Sequence, residues 1–171
     1  TRDQESQGRV FALMRKWKQI DQSLTEAANE AKDNVKYLFP PEKFIEPLYS
    51  GTPSTIVDTL PALMNSIKMI HTIARYYSTT ERMTGLLEKI TNQMISNCKS
   101  CVLGGGGMEH LWQKDPDTMV LNLEACLKLN EAYQEQYRLT KETLMTQPKG
   151  KQFDFSEVRF GLKFETIFDD L

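Results

Sequence analysis

The sequence predicts an all-α protein: an elongated antiparallel bundle of about four long helices with short helices beside them. Three observations carry that reading. Between Leu60 and Asn97 the chain writes a helix-length apolar stripe twice in succession, LPALMNSIKMIHTIARYYS and then TTERMTGLLEKITNQMISN. Elsewhere the apolar residues also recur at steps of three and four, the seam of helices packed side by side at a shallow angle. The nearest candidate for a strand, Lys151 to Phe155, alternates over too few residues to form a sheet alone.

The first segment, residues 8–38, places Val10, Leu13, Trp17, Ile20, Leu24, Ala27, Ala31, Val35 and Leu38 on one stripe. Its other faces carry Lys16, Lys18, Asp21, Glu26, Glu30, Lys32 and Asp33, as a solvated surface should. A helix of this span is on the order of 45 Å long. Pro40-Pro41 ends it, because proline lacks an N–H and drives the residue before it out of the helical region. Pro41 opens a short helix over 41–49 through Phe44, Ile45 and Leu48. Tyr49-Ser50-Gly51-Thr52-Pro53 reads as a turn.

A second long helix spans 54–78, interrupted or kinked at Pro61. Leu60, Leu63, Ile67, Ile70, Ala74 and Tyr77 form its seam, and Met64, Met69 and Ile73 widen the stripe, which places it centrally. Ser78-Thr79-Thr80-Glu81 has the pattern of a capping box, with Ser78 as cap and Glu81 reaching back. The third helix, 79–102, uses Met83, Leu87, Ile90, Met94, Cys98 and Cys101. Gly104 to Gly107 carries too much backbone freedom for a helix, so 103–115 reads as a mobile loop. Asp115-Pro116 supplies a cap and a first-turn proline. The fourth long helix, 116–147, presents Val120, Leu123, Leu127, Asn130, Tyr133, Tyr137, Thr140 and Leu144. After Gln147-Pro148-Lys149-Gly150, Ser156 caps a last helix, 156–171, with Phe160, Phe164, Ile167 and Leu171 on one face. Together these make one helical-bundle segment over 1–171.

With 171 residues, the chain is long enough to bury roughly 70% of its unfolded surface. The net charge of −2 comes from interspersed acids and bases, which argues against a nucleic-acid partner. No apolar run approaches the ~20 residues of a membrane span. Three cysteines are too few for a disulfide framework and fit a reducing compartment. The chain starts TRDQES and stops inside the apolar pattern FETIFDDL, which reads as a piece of something larger.

The chemical motifs are weak. Cys98-Lys-Ser-Cys101 has the spacing of a redox pair or half a zinc site, with His110 and Cys126 as further donors. It lies at the C-terminal end of a helix, where the dipole raises a thiol pKa, and small apolar packing is the stronger reading. The glycine run is followed by Met108, and GxxxxGK[ST] does not occur in the chain, so no phosphate cradle is expected. His71 sits mid-helix among apolar neighbours and reads as a buried histidine. Arg75 and Tyr76 stand before the hairpin turn, with Arg75 paired to an acid such as Glu81 or offered to a partner. Leu111 and Trp112 beside the glycine loop form either a lid on the bundle or a contact for a neighbour. Catalytic, cofactor-binding and metal-ligating residues are expected to be none.

Several stretches carry a family likeness. AANEAKDNVKYL, EKFIEPLY, MNSIKMIHTIARYYSTTERMTGLLEKITNQMI, LNEAYQEQYRLTKE and PKGKQFDFSE together resemble the N-terminal tail (stem) region of dynein heavy chains, closest to the axonemal kind. The likeness runs from Ala27 to Ser156; AKDNVKYL and ARYYSTTERMTGL…ITNQMI are its most specific parts. Pro40-Pro41, the four glycines and the acidic FETIFDDL depart from the family pattern. The resemblance implies a segment of a larger helical tail in a microtubule motor, whose ATPase ring, with ATP and Mg, lies far C-terminal. It implies intermediate and light chains and other heavy chains as partners, the doublet microtubule indirectly, and a place in the cytoskeleton of the ciliary axoneme. The rival readings are a stand-alone helical adaptor and a thiol or zinc module on Cys98 and Cys101.

Overall fold

The computed structural model describes residues 2–38, 42–104 and 108–146. Every regular element among them is helical: α1 (Arg2–Asp33), a π-helical turn (Asn34–Leu38), α2 (Glu42–Ser50), α3 (Pro53–Ile73), α4 (Thr80–Leu103), a 3₁₀ turn (Met108–Gln113) and α5 (Pro116–Met145). The all-α class and the long antiparallel packing are as the sequence predicts. The helix expected over 156–171 and the extended FDFS lie outside the described residues.

The core lies between α3, α4 and α5, with α2 wedged against α3 and α4. Leu60, Leu63, Met64, Ile67 and Ile70 of α3 are buried in one cluster with Met83, Leu87, Ile90 and Met94 of α4 and Cys126, Leu129 and Tyr133 of α5. Three side-chain links fix the direction of α5 against α4. Asn122 donates to the Cys101 carbonyl at 3.3 Å, Cys126 Sγ approaches the Cys98 carbonyl at 4.0 Å, and Tyr133 shares a hydrogen bond of 3.1 Å with Thr91. Numbers rise on one helix as they fall on the other, so the pair is antiparallel, and α5 ends where α3 ends and α4 begins.

The first helix departs from expectation. Its stripe was to pack lengthwise within the bundle, but Leu13, Trp17 and Leu24 are 63%, 66% and 65% exposed. α1 meets the bundle through its last turns and projects beyond it. The helix leaves the α form at Asn34 rather than running on to Leu38. Pro40 and Pro41 are the residues whose N–H groups would serve the carbonyls of Lys36 and Tyr37 in an α-helix, and neither has one.

Other expectations are corrected in detail. Pro61 does not interrupt α3, which runs through it; the buried residues on either side, Leu60, Leu63 and Met64, hold the helix across the missing bond. Met69 and Ile73 do not widen the buried stripe but face outward. α3 ends at Ile73 and not at residue 78: Ala74 is extended, with φ −72° and ψ 152°. Ser78 does not cap α4, because its hydroxyl donates to the Arg75 carbonyl at 2.8 Å. The cap is Thr79, without a side-chain bond. On α5 the buried seam begins Cys126, Leu129, Tyr133, and Leu127 is 51% exposed. Two stripes one residue apart satisfy the same three-four spacing here, and the chain uses the one that was not expected. The loop 103–115 is partly regular, with Leu103 closing α4 and Met108–Gln113 in a 3₁₀ turn.

Two glycines are required by the backbone. A Cβ on Gly51 would lie 2.6 Å from the Pro47 carbonyl, where α2 turns into α3. Gly104 terminates α4 in the left-handed region, φ 63°, with its N–H on the Ser100 carbonyl at 2.8 Å. A side chain is strained there, and it would also meet the Lys114 ammonium, which donates to the Val102 carbonyl at 2.6 Å. Gly104→Ala is expected to cost about 1 kcal/mol in chemical unfolding; an unchanged midpoint would show that the cap is not held in this form.

Candidate functional site

The residues singled out by the sequence lie at two opposite ends of the bundle, separated by the length of α4, on the order of 36 Å. Arg75 and Tyr76 sit at the end where α1 joins. Leu111 and Trp112 sit at the other end, beside the start of α5.

At the first end an acidic face of α1 meets the turn between α3 and α4. Asp33, expected on the solvated surface, is instead 5% exposed, because its carboxylate accepts the Tyr76 backbone N–H at 2.5 Å. One residue on, the Tyr77 hydroxyl donates to Asn34 Oδ1 at 2.7 Å. Glu26 pairs with Arg82 at 2.9 Å, and the Arg82 guanidinium lies over the Tyr76 ring, 4.2 Å from its centroid. The two tyrosine rings meet edge to face at 5.1 Å. Burial first, and the nearby Glu30 second, push the Tyr77 hydroxyl up to about 12. Tyr76 is raised by the same two causes. Tyr76 is therefore spent on the joint with α1. Arg75 stays exposed and lines an open cleft of about 780 Å³ with Lys32, Lys36 and Ile73. The ion pair is Arg82 with Glu26, not Arg75 with Glu81. Glu26, Glu30 and Asp33 recur at steps of four and three on α1, and that acidic stripe was the signal for the joint.

At the second end the pair divides. Leu111 packs against the core, whereas Trp112 is 94% exposed. The 3₁₀ turn is fastened by the Lys114 backbone N–H on the Leu111 carbonyl at 3.2 Å. Asp115 caps α5, its carboxylate accepting from the Thr118 N–H at 3.0 Å and hydroxyl at 2.7 Å, and these bonds hold its pKa low. Val120 and Leu121, on the first turns of α5, are also exposed. An indole held out on a fastened turn keeps its large apolar face in water.

Cys98, Cys101 and Cys126 come together where α4 ends and α5 begins. All three are free thiols; Cys98 and Cys126 are buried and Cys101 is half-buried. The bond between Cys126 and Cys98, with burial, holds the Cys126 thiol above the ordinary range, and burial raises Cys101. Cys101 and Cys126 are therefore weak nucleophiles, whereas the bond with Cys126 lowers the pKa of the Cys98 thiol, which burial shields from solvent. The described residues contain no group of three or more His, Cys, Asp or Glu side chains able to hold a metal ion. In the native protein Cys101 is expected to react first with a disulfide reagent, and Cys98 and Cys126 on the order of 1000-fold slower than free thiol, through unfolding; equal rates for the three would refute the packing. His71, 1% exposed, is buried as expected. A cavity of about 160 Å³ between α2, α3 and α4 is lined mainly by Ile45, Leu48, Leu63, Ile67 and Ile90, smaller than a usual ligand pocket. No helix among the described residues is long and apolar enough to cross a membrane.

The family described as "Dynein heavy chain, N-terminal region 1" matches residues 4–169. The chain is 48% identical over 160 residues to the dynein gamma chain of the flagellar outer arm of Chlamydomonas reinhardtii, covering 94% of this chain and 4% of that one. It is 46% identical to dynein axonemal heavy chain 5 of Rattus norvegicus over 159 residues, 93% of this chain and 5% of the relative. With dynein axonemal heavy chain 8 of Mus musculus it shares 37% identity over 155 residues, 91% of this chain and 3% of the relative. The chain thus spans about one twentieth or less of the length of these relatives.

Proposed function

Because the chain belongs to the dynein heavy chain N-terminal region 1 family, with axonemal and flagellar heavy chains as its relatives, we propose that it is a structural and assembly segment of the tail of a ciliary motor. In this reading it passes force along its helices and holds accessory intermediate and light chains or a neighbouring heavy-chain tail, and through them the doublet microtubule. The ATP- and Mg-dependent motor ring belongs elsewhere in the whole protein, and the place of work is the axoneme. The glycine run here has no lysine after it to hold a phosphate.

The observation that supports this best is how the apolar residues are spent. α3, α4 and α5 use theirs against one another along their length, which suits a rod loaded along its axis. Exposed at the surface are Trp112 at one end and, at the other, the basic cleft of Arg75, Lys32 and Lys36 and the apolar stripe of α1. Trp112→Asp in the full-length heavy chain is expected to weaken co-sedimentation of its accessory chains by roughly 30-fold or more, the loss of one interface anchor, with ATPase of the isolated motor unchanged. Normal assembly of a heavy chain carrying both Trp112→Asp and Arg75→Glu would overturn the reading.

A further inference from the structure

The stripe of α1 is the largest unexplained feature of the molecule. Val10, Leu13, Trp17, Ile20 and Leu24 repeat at steps of three and four, and each is at least 51% exposed. A solvated helix has no use for such a stripe, and an uncovered one of this length invites association. The surface around it has a sign. From Gly8 to Ile20, α1 carries Arg9, Arg15, Lys16 and Lys18 and no carboxylate, and its first acid beyond is Asp21.

We propose that the occupant of this stripe is the chain's own segment 156–171, packed antiparallel to residues 8–25 of α1 as a second helical layer. Three observations choose this occupant. First, Phe160, Phe164, Ile167 and Leu171 step by four, three and four, a seam of matching period whose span, like that of residues 8–25, is on the order of 25 Å. Second, the charge order is complementary in the antiparallel sense. Beyond Glu157, the segment carries first Arg159 and Lys163 and then Glu165, Asp169 and Asp170. Laid against α1 with Phe160 beside Leu24 and Leu171 beside Val10, its bases face Asp21 and its acids face Arg15, Lys16 and Lys18. A parallel arrangement would oppose like charges at both ends, which costs affinity. Third, the topology delivers the segment to the right place. α5 runs antiparallel to α4 and ends at the face from which α1 projects. Residues 147–155 reach on the order of 30 Å when extended, enough to cross from Thr146 to the base of α1.

Trp17 lies in the middle of the stripe and reports on the proposal directly. The chain has two tryptophans, so in a Trp112→Phe background Trp17 is the sole emitter. In that background its emission is expected to be blue-shifted and shielded from acrylamide at all protein concentrations. Adding Phe160→Asp and Phe164→Asp should raise the quenching constant by about twofold or more as the stripe is uncovered. The thermal midpoint of the α2–α5 bundle should stay in place, because neither residue belongs to that core. Lys16→Glu should also raise quenching, and Asp169→Lys with Asp170→Lys in the same chain should lower it again. Two results would overturn the proposal: a Trp17 as open to acrylamide as free indole in the Trp112→Phe chain, or shielding that disappears on dilution and ignores the Phe160 and Phe164 changes, which would assign the stripe to a second copy.

Discussion

Tyr133→Ala is expected to destabilise the protein by about 3–5 kcal/mol, the cost of truncating a fully buried aromatic. Tyr133 has no exposed surface and sits at the midpoint of α5, facing α4. Thr91 gives its hydroxyl proton to the Leu87 carbonyl at 2.9 Å, so the Tyr133 hydroxyl is the donor in the 3.1 Å bond between them. The Tyr137 ring stacks on that of Tyr133 at 6.5 Å, one turn on. Alanine removes the ring, the bond and the stack together. Tyr133→Phe keeps the ring and gives up only the hydrogen bond, so it should cost about 1 kcal/mol. The pair of variants separates packing from polarity in one denaturation experiment. A Tyr133→Ala loss below that of Tyr133→Phe would show that the ring does not fill the core.

The same side chain makes stability depend on alkaline pH. Burial pushes the Tyr133 hydroxyl up to about 12, while an unfolded tyrosine ionises near the usual value of about 10. Between those values the unfolded chain has given up a proton that the native chain retains. Stability is therefore whole below pH ~10 and falls as pH rises towards ~12. In the Tyr133→Phe protein that part of the alkaline slope should disappear.

How much of this was readable follows from the physics of each signal. Within α3 the seam Leu60, Leu63, Ile67 and Ile70 was legible to the residue, because all four are buried; Ala74 and Tyr77 are buried too, but beyond the end of the helix. The seam of α5 was misread near its start, where Leu127 and Asn130 satisfy the same spacing as Cys126 and Leu129. Periodicity alone cannot choose between two stripes 100° apart. The stripe of α1 was legible as a stripe, but its partner was not. A seam states that something covers it and says nothing about which element does so.

The candidate contacts were readable in kind and only partly in place. Leu111-Trp112 was weighed as lid or neighbour contact; Leu111 packs against the core as a lid would, and Trp112 is left exposed. Tyr76 was singled out for its aromatic character, yet its backbone decides its use: the N–H that Asp33 accepts lies in the extended stretch after Ala74. That bond links residues 43 apart. Local sequence rules describe neighbours within a turn or two, and Asp33 is invisible to them as a partner for residue 76. Its spacing from Glu26 and Glu30 was the one clue that an acidic face had work to do.

Asp33 therefore supplies the second large effect. Asp33→Ala leaves the Tyr76 N–H, in a half-buried bond, without its acceptor, a loss of about 2 kcal/mol, since the bond is to a charged group. The loss is local in character. α3, α4 and α5 keep their core, while α1 is released from the turn it is anchored to. Cleavage by a protease within Asn34–Leu38 should rise by roughly 30-fold, the equilibrium equivalent of that energy, with a smaller change in the thermal midpoint of the bundle. Asp33→Asn retains an oxygen acceptor without the charge and should fall between wild type and alanine. If instead the three proteins are cut at the same rate, α1 is held by its neighbours, Tyr77 with Asn34 and Arg82 with Glu26, and Asp33 is an ordinary helix residue. The route that the proposed load would take depends on the answer. In the first case the connection between the projecting helix and the rod passes through a single carboxylate, and in the second it is shared across a face.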